Sequence, residues 1–214
     1  MVQNGKKPRR TQAERRLATQ TAIMNASVGI LVTEGYARFS ASRVASLAGV
    51  SRGAQEHYYP KKFDLIEAVT RQIMEEALGH TRKLTEQVDP ARDPIDKFIE
   101  DSNWFFSSRS FRAITEIMIA ARAEAELADI VHPIVKKTRG ELDQIWIEAL
   151  SNAGFTRESA VEFIDITQHL LRGLFFVDTW IPFPVDRASI LSTWRGLANH
   201  ILLPDRNRTP SASN

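Results

Sequence analysis

The side chains that can do chemistry at close spacing crowd between Ser40 and Lys62, where Ser42, Arg43, Ser51, Arg52, Gln55, His57 and Tyr58 supply hydroxyl, guanidinium, amide, imidazole and phenol groups. These are hydrogen-bond donors of the kind that reach phosphate oxygens and base edges. Catalytic constellations are missing. The 214 residues hold no cysteine, which removes disulfides, thiolate nucleophiles, iron–sulfur clusters and thiolate zinc sites, and fits a reducing compartment. There is no Gly-rich phosphate loop, no Gly-x-Ser-x-Gly elbow and no His-Glu-x-x-His helix. The histidines (His57, His80, His132, His169, His200) are scattered, and the paired Glu75–Glu76 and Glu124–Glu126 lack the Glu-x-x-His partners of a di-iron bundle. No catalytic residue, metal site or cofactor is expected.

Two short helices around a tight turn must position those donors. Val44, Leu47 and Ala48 put an apolar stripe on the first, Ala45 permits close approach, and Gly49 allows the left-handed conformation that ends it. Val50 plugs the gap. Ser51 caps the second helix and leaves its N-terminus free to face a phosphate, and Gly53 removes a side chain that would hold the backbone away. This is helix-turn-helix geometry, with Arg52, Gln55, His57 and Tyr58 on the second, recognition helix.

The stretch from Arg16 to Leu65 resembles the N-terminal domain of the tetracycline-repressor (TetR) family of bacterial transcriptional regulators. The resemblance rests on Ala22-Ile23, Glu34-Gly35-Tyr36, Val44-Ala45, the run Ala48-Gly49-Val50-Ser51-Arg52-Gly53-Ala54, and Tyr59-Pro60-Lys61-Lys62. It implies that Ser42 and Arg43 touch the phosphate backbone, that Ser51, Arg52, Gly53, His57 and Tyr58 enter the major groove, and that Lys62 grips a phosphate. Tyr59 is expected in the core. Glu56 departs from the tyrosine or leucine usual there. It either accepts from a cytosine amino group or is held by Arg52 at helical spacing four, the safer reading. Arg15, Arg16 and Arg38 are as well read as solvated charge.

Charge and composition agree with a basic module on an acidic body. The net charge is +2, yet residues 1 to 62 carry eleven Lys and Arg against three Asp and Glu, a balance of +8, and the remainder carries −6. Such a split suits a polyanionic partner for the first part. All four Trp and ten of the eleven Phe lie beyond residue 62, so the large apolar volume belongs to the second part. No stretch is apolar enough to span a membrane, and the opening Met1 to Lys7 has no apolar run behind it to serve as a signal peptide, so a cytoplasmic location is expected.

Apolar residues recur at three and four throughout, which predicts an all-α chain of about nine helices near 11–34, 41–48, 52–59, 62–87, 93–108, 110–119, 122–151, 157–181 and 187–203. Gly35, Gly49, Pro60, Pro90, Pro94, Pro133, Gly154, Pro182 with Pro184, and Pro204 serve as breakers. The expected organisation is a flexible basic arm (1–10) bearing Lys6, Lys7, Arg9 and Arg10, a three-helix helix-turn-helix domain (11–62), a ligand-binding and dimerisation domain (63–205) and a flexible tail (206–214).

The eighth helix is apolar on more than one side, which asks for burial twice. With the ninth it is expected to form a homodimer interface through Phe163, Ile166, Leu170, Leu174, Ile190, Trp194, Leu197 and Ile201, an arrangement the resemblance also implies. The resemblance places a ligand cavity among the fifth to eighth helices, and Trp104, Phe105, Phe111, Met118, Trp146, Phe175 and Phe176 would line it for a hydrophobic or aromatic effector. Glu158, Glu162, Asp165, His169 and Arg172 share one stripe. They form either a solvated ion-paired face, or a face from which His169 and Arg172 meet an anionic group of the ligand. The function expected is that of a dimeric, ligand-released repressor on a palindromic double-stranded operator, with an activator or ligand-independent regulator of the same fold as the alternative and a helical protein-interaction adaptor as the rival.

Overall fold

The computed structural model describes residues 11–87, 94–180 and 186–206, and every regular element among them is helical. In chain order they are α1 (Gln12–Glu34), a single 3-10 turn (Tyr36–Arg38), α2 (Ala41–Ala48), α3 (Arg52–Tyr58), α4 (Lys62–Thr85), α5 (Pro94–Phe106), α6 (Arg109–Ala121), α7 (Ala125–Asn152), α8 (Arg157–Trp180) and α9 (Arg187–Arg206). Short polar side chains start most of them. Thr11 and Glu14 make a reciprocal capping box on α1, Ser108 Oγ accepts from the Phe111 amide in α6, and Asp186 Oδ1 accepts from the Ser189 amide in α9. Pro133, one of the expected breakers, sits inside α7 with its ring exposed. A proline there removes one backbone bond, and on the solvent side water satisfies the orphaned carbonyl. Pro204 lies inside α9. The basic arm and the residues after Arg206 lie outside the described residues.

The chain divides into two compact units. The first takes the residues up to Arg71 together with Arg112–Val131, a discontinuous set that differs from the contiguous division at residue 62. In it α1 buries Ile23, Met24, Ile30 and Leu31, α2 buries Val44 and Ala45, and the start of α4 buries Leu65, Ile66 and Val69. Each such aliphatic side chain withdrawn from water contributes about 1.5–3 kcal/mol before entropy is counted. The α2 stripe is narrower than its sequence suggests: Leu47 is 59% exposed, lying over the space beside Gly29, and Val44 with Ala45 does the packing.

In the second unit, Gln72–Phe111 with the chain from His132 onward, the core is built on Trp146, Phe98 and Phe163. Phe98 meets Trp146 edge-on at 5.3 Å and Phe163 at 5.2 Å, and Trp194 stacks on Phe163 at 6.1 Å. A carboxylate is set into this apolar surroundings. Asp101 is buried on α5 and takes three hydrogen bonds of 2.7 Å each: Trp146 Nε1 and Thr81 Oγ1 donate to Oδ2, and His80 Nδ1 lies on Oδ1. A buried acceptor this well supplied ties α4, α5 and α7 at one point, and removing it strands two buried donors. Asp101→Ala is expected to destabilise the protein by about 3 kcal/mol, and Thr81→Val by about 1 kcal/mol, in chemical denaturation at neutral pH.

Candidate functional site

The turn between α2 and α3 has the form its residues demand. Ser40 Oγ caps α2, accepting from the Arg43 amide at 3.3 Å. Gly49 closes the helix in the left-handed region (φ 66°, ψ 28°), and the Val50 amide reaches back to the Ala45 carbonyl at 3.1 Å. Ser51 Oγ accepts from the Ala54 amide at 3.1 Å and starts α3. On α3 the exposed positions are Arg52, Gly53, Glu56 and His57, preceded by Ser51 and joined by half-buried Tyr58. A Cβ on Gly53 would meet nothing within 4 Å, so the first turn of α3 is open to an approaching surface.

Gln55 is a correction to the sequence reading. Its side chain is fully buried and Nε2 donates to the Tyr59 carbonyl at 2.5 Å, so it braces the end of α3 and does not reach outward. Helical spacing is the reason: 52, 53, 56 and 57 form one face, and 55 falls on the opposite, buried one. Tyr59 is half-buried, and burial pushes its phenol above the usual tyrosine range against the pull of a hydrogen bond with Gln20.

Both arginines of the motif carry carboxylate partners. Arg52 donates through Nε to Glu56 Oε1 at 2.6 Å, with the arginine 81% and the glutamate 45% exposed. That is the intrahelical pair of the two readings. Arg43 grips Glu34 of α1 through two nitrogens, Nε at 3.0 Å and Nη2 at 2.8 Å. The Arg43 guanidinium holds Glu34 below the usual carboxylate range. Ser42 is exposed, its Oγ 3.2 Å from that of Ser40. The Arg16 guanidinium lies 5.9 Å from the Tyr58 ring centroid. Lys62 is half-buried with its ammonium 3.8 Å from the centre of the Tyr36 ring.

Tyr36, Glu34, Glu116 and Glu124 were given no role by the sequence. Tyr36 is buried, its hydroxyl donates to Glu124 Oε2 at 2.8 Å, and its amide donates to Glu116 Oε2 at 3.3 Å. Burial first, and then Glu124, raise the phenol well above its ordinary range. Gly35 precedes it at φ 78°, with the Glu116 carboxylate 3.1 Å from where a Cβ would stand, so both backbone and space require glycine. A tertiary contact across some eighty residues leaves no periodic trace, which is why the spacing of acidic residues along α6 and just before α7 did not disclose it.

The residues proposed for an effector site part company. In the second unit Phe111 packs on Phe105, Phe106 and Phe175 at 5.5, 4.7 and 4.7 Å, and Phe175 on Phe176 at 5.4 Å. The Arg172 guanidinium lies 5.2 Å from the Phe106 centroid, with Nη2 3.3 Å from Gln168 Oε1. Burial, and then the neighbouring Arg139, lower Arg172 from the usual arginine range. Trp146 belongs to the core on Asp101, and Trp104 is 44% exposed, stacked on His80 at 3.7 Å. Met118 falls in the first unit. His169 is exposed with Nδ1 on the Asp165 carbonyl, Glu158 and Glu162 are exposed, and Arg139 bridges Asp143 and Asp165, so Asp165 is the member of that stripe that is ion-paired among the described residues. Phe106 and Gln168 were missed because each looks like ordinary helix filling in sequence.

The expected dimer residues also divide. Phe163 and Leu174 are consumed by the chain's own core, and half-buried Trp194 donates to Thr167 Oγ1 at 2.9 Å. Ile166 and Leu197 are each 51% exposed, and Leu170 and Ile190 are half-buried. The side chain of Ile201 lies outside the described residues.

A sequence model of bacterial regulatory proteins of the tetR family matches residues 23–69. The chain is 31% identical over 172 residues to the HTH-type transcriptional regulator CymR of Pseudomonas putida, covering 80% of this chain and 85% of that one. An uncharacterized HTH-type transcriptional regulator of Mycobacterium tuberculosis is 23% identical over 176 residues, covering 82% and 90%. Among solved structures, GusR of Salmonella enterica superposes with a TM-score of 0.63 at 18% identity (87% and 96% of the two chains). FadR of Bacillus subtilis, solved with stearoyl-CoA, superposes at 0.63 with 16% identity (84% and 97%).

The Tyr36 phenol offers a direct check on the packing of the first unit. Because its folded-state ionisation is raised, its contribution to stability is whole below the unfolded tyrosine value of about 10 and is lost as pH rises from there toward the folded value. Tyr36→Phe is expected to cost about 1 kcal/mol at pH 7, through the lost bond to Glu124, and to flatten the decline of the urea midpoint above about pH 10.

Proposed function

The chain belongs to the tetR family of bacterial regulatory proteins, and on that premise we propose that it is a dimeric repressor which leaves a palindromic operator when a hydrophobic or aromatic small molecule binds. That it is a transcriptional regulator and not an enzyme follows from the family. The observation that carries the operator reading is the α3 surface: Arg52, Gly53 and His57 stand outward together behind a serine-capped, glycine-closed turn, and among the described residues nothing beyond the adjacent residues and the backbone of α3 itself comes within 4 Å of a Cβ at Gly53. Such a helix presents donors to base edges, and its short length argues for two copies reading two half-sites. Ser42, Arg43 and Lys62 supply the backbone contacts of this reading, Arg43 and Lys62 after leaving Glu34 and Tyr36. The chain works where its operator is, in the cytoplasm.

Ile166, Leu170 and Leu197 support a dimer face, since α8 and α9 leave these apolar side chains wholly or partly in water. The aromatic cluster of Phe105, Phe106, Phe111 and Phe175, with Phe176 and Arg172 at its edge, supports the effector site. Helix α4 begins in the first unit and ends in the second, so it is the element through which occupancy would alter the spacing of the two recognition helices. The effector must prefer the operator-incompetent state, since equal affinity shifts nothing.

Selection of duplexes from a random pool is expected to enrich a palindrome, and Arg52→Ala and His57→Ala to blur it at matching positions in both halves. Unchanged enrichment by the variants would refute the groove assignment. Ile166→Asp is expected to yield a 24.2 kDa monomer in sedimentation and to weaken operator binding about a hundredfold through lost bivalency. In a thermal-shift screen of apolar and aromatic compounds, a true effector at about 100 times its Kd adds about 2.7 kcal/mol.

A further inference from the structure

We propose that Glu56 is a positioning residue that turns Arg52 into a reader of guanine. The inference rests on the operator reading above and deepens it by naming a base. Arg52 carries five N–H donors, and Glu56 Oε1 takes the one on Nε at 2.6 Å. No other partner of Arg52 occurs among the described residues. The two terminal nitrogens are therefore left side by side at the end of a side chain that is 81% exposed, with the flexible stem tethered one helical turn below. In the major groove guanine alone offers two acceptors, N7 and O6, on one edge. Adenine sets a donor beside its acceptor, thymine a methyl group, and cytosine a donor. An end-on guanidinium fork matches the first and none of the others.

The same pair is poorly made for a phosphate. The Glu56 carboxylate neutralises the arginine and would stand close to the phosphate oxygens, repelling them. Arg43 shows the contrast. Glu34 of α1 accepts from both its Nε and its Nη2, a two-bond clamp that holds this guanidinium against α1 and not on the recognition helix. Gly53, beside Arg52 in the first turn, adds no bulk, which lets that turn come close enough for the fork to reach a base edge.

The test uses the full-length protein, its Arg52→Ala, Glu56→Ala and Glu56→Gln variants, and the Glu56→Ala/Arg52→Ala double variant, each checked for unchanged helix content by circular dichroism. After duplex selection, affinities are measured for the four base pairs at each selected position and at several salt concentrations. The wild type is expected to require guanine at one position of each half-site. Arg52→Ala and Glu56→Ala should each cut that preference about tenfold at the same base pair. Glu56→Gln should lie between, because its amide oxygen still accepts from Nε. Adding Glu56→Ala to Arg52→Ala should change nothing further, and the salt slope of Glu56→Ala should equal that of wild type, where a changed phosphate contact would shift it by about one. The inference is overturned if Glu56→Ala tightens binding to every duplex equally, if it alters a base pair that Arg52→Ala leaves alone, or if guanine preference survives it. If the wild type enriches no motif, the operator reading itself fails, and that outcome is distinct from a palindrome lacking an Arg52-dependent guanine.

Discussion

The buried phenol of Tyr36 is the contact that joins distant segments of the chain in the first unit. It sits just past the end of α1, its ring carries the ammonium of Lys62 at the start of α4, and its hydroxyl and amide are taken by the carboxylates of Glu124, just before α7, and Glu116 of α6. One side chain thus holds four chain segments around the helix-turn-helix. The arrangement explains why the first unit includes Arg112–Val131: two glutamates far along the chain answer donors that the 3-10 turn would otherwise leave buried and unsatisfied. Acidic residues near a polyanion-binding module look counterproductive by charge alone. Here half-buried Glu116 and exposed Glu124 both accept from Tyr36, and their role is geometric.

Similar reasoning revises the meaning of the basic N-terminal part. The +8 balance of residues 1 to 62 already subtracts Glu34 and Glu56, and these two carboxylates are the ones that engage Arg43 and Arg52, so the net positive charge is carried by the other basic residues. Exposed pairs of this kind add little to stability and are screened by salt. Their larger effect is on conformational freedom, since a guanidinium anchored at one edge explores fewer rotamers before it meets a partner. A recognition helix equipped this way gives up some nonspecific attraction to phosphate in exchange for a narrower choice of base.

The helix order, the turn and most boundaries were readable from apolar spacing, glycine and proline, because each is fixed by interactions within a few residues. Gly49 is the plainest case, its left-handed conformation following from the need to end α2 and start α3 within three residues. What escaped was set by tertiary context. Gln55 looks like a base reader by type and is fully buried by angle, and Leu47 looks like core and is mostly exposed. Asp101 left one usable sign, a carboxylate inside the apolar run of Ile95, Phe98, Ile99 and Phe106 on α5. A charge on that face is retained only where donors surround it.

The double-sided α8 shows how one helix can be right in pattern and ambiguous in assignment. Its apolar residues exceed what a single neighbour can cover, and the sequence does not say which side meets the chain's own core. Phe163, Ile164, Leu171, Leu174 and Phe175 are buried, taken by α5 and α9 and by the aromatic cluster, whereas Ile166 is left half in water and Leu170 partly so. The division follows from helical geometry: 163, 167, 171 and 174 lie on one face, 166, 170 and 173 beside it on another. The second face ends in Gly173, where a Cβ would meet nothing within 4 Å, so a further helix can come close there without displacing any side chain. An apolar strip that grows smaller toward one end is suited to a crossing helix pair, and in the proposed dimer a second α8 with its α9 would supply a complementary surface by symmetry.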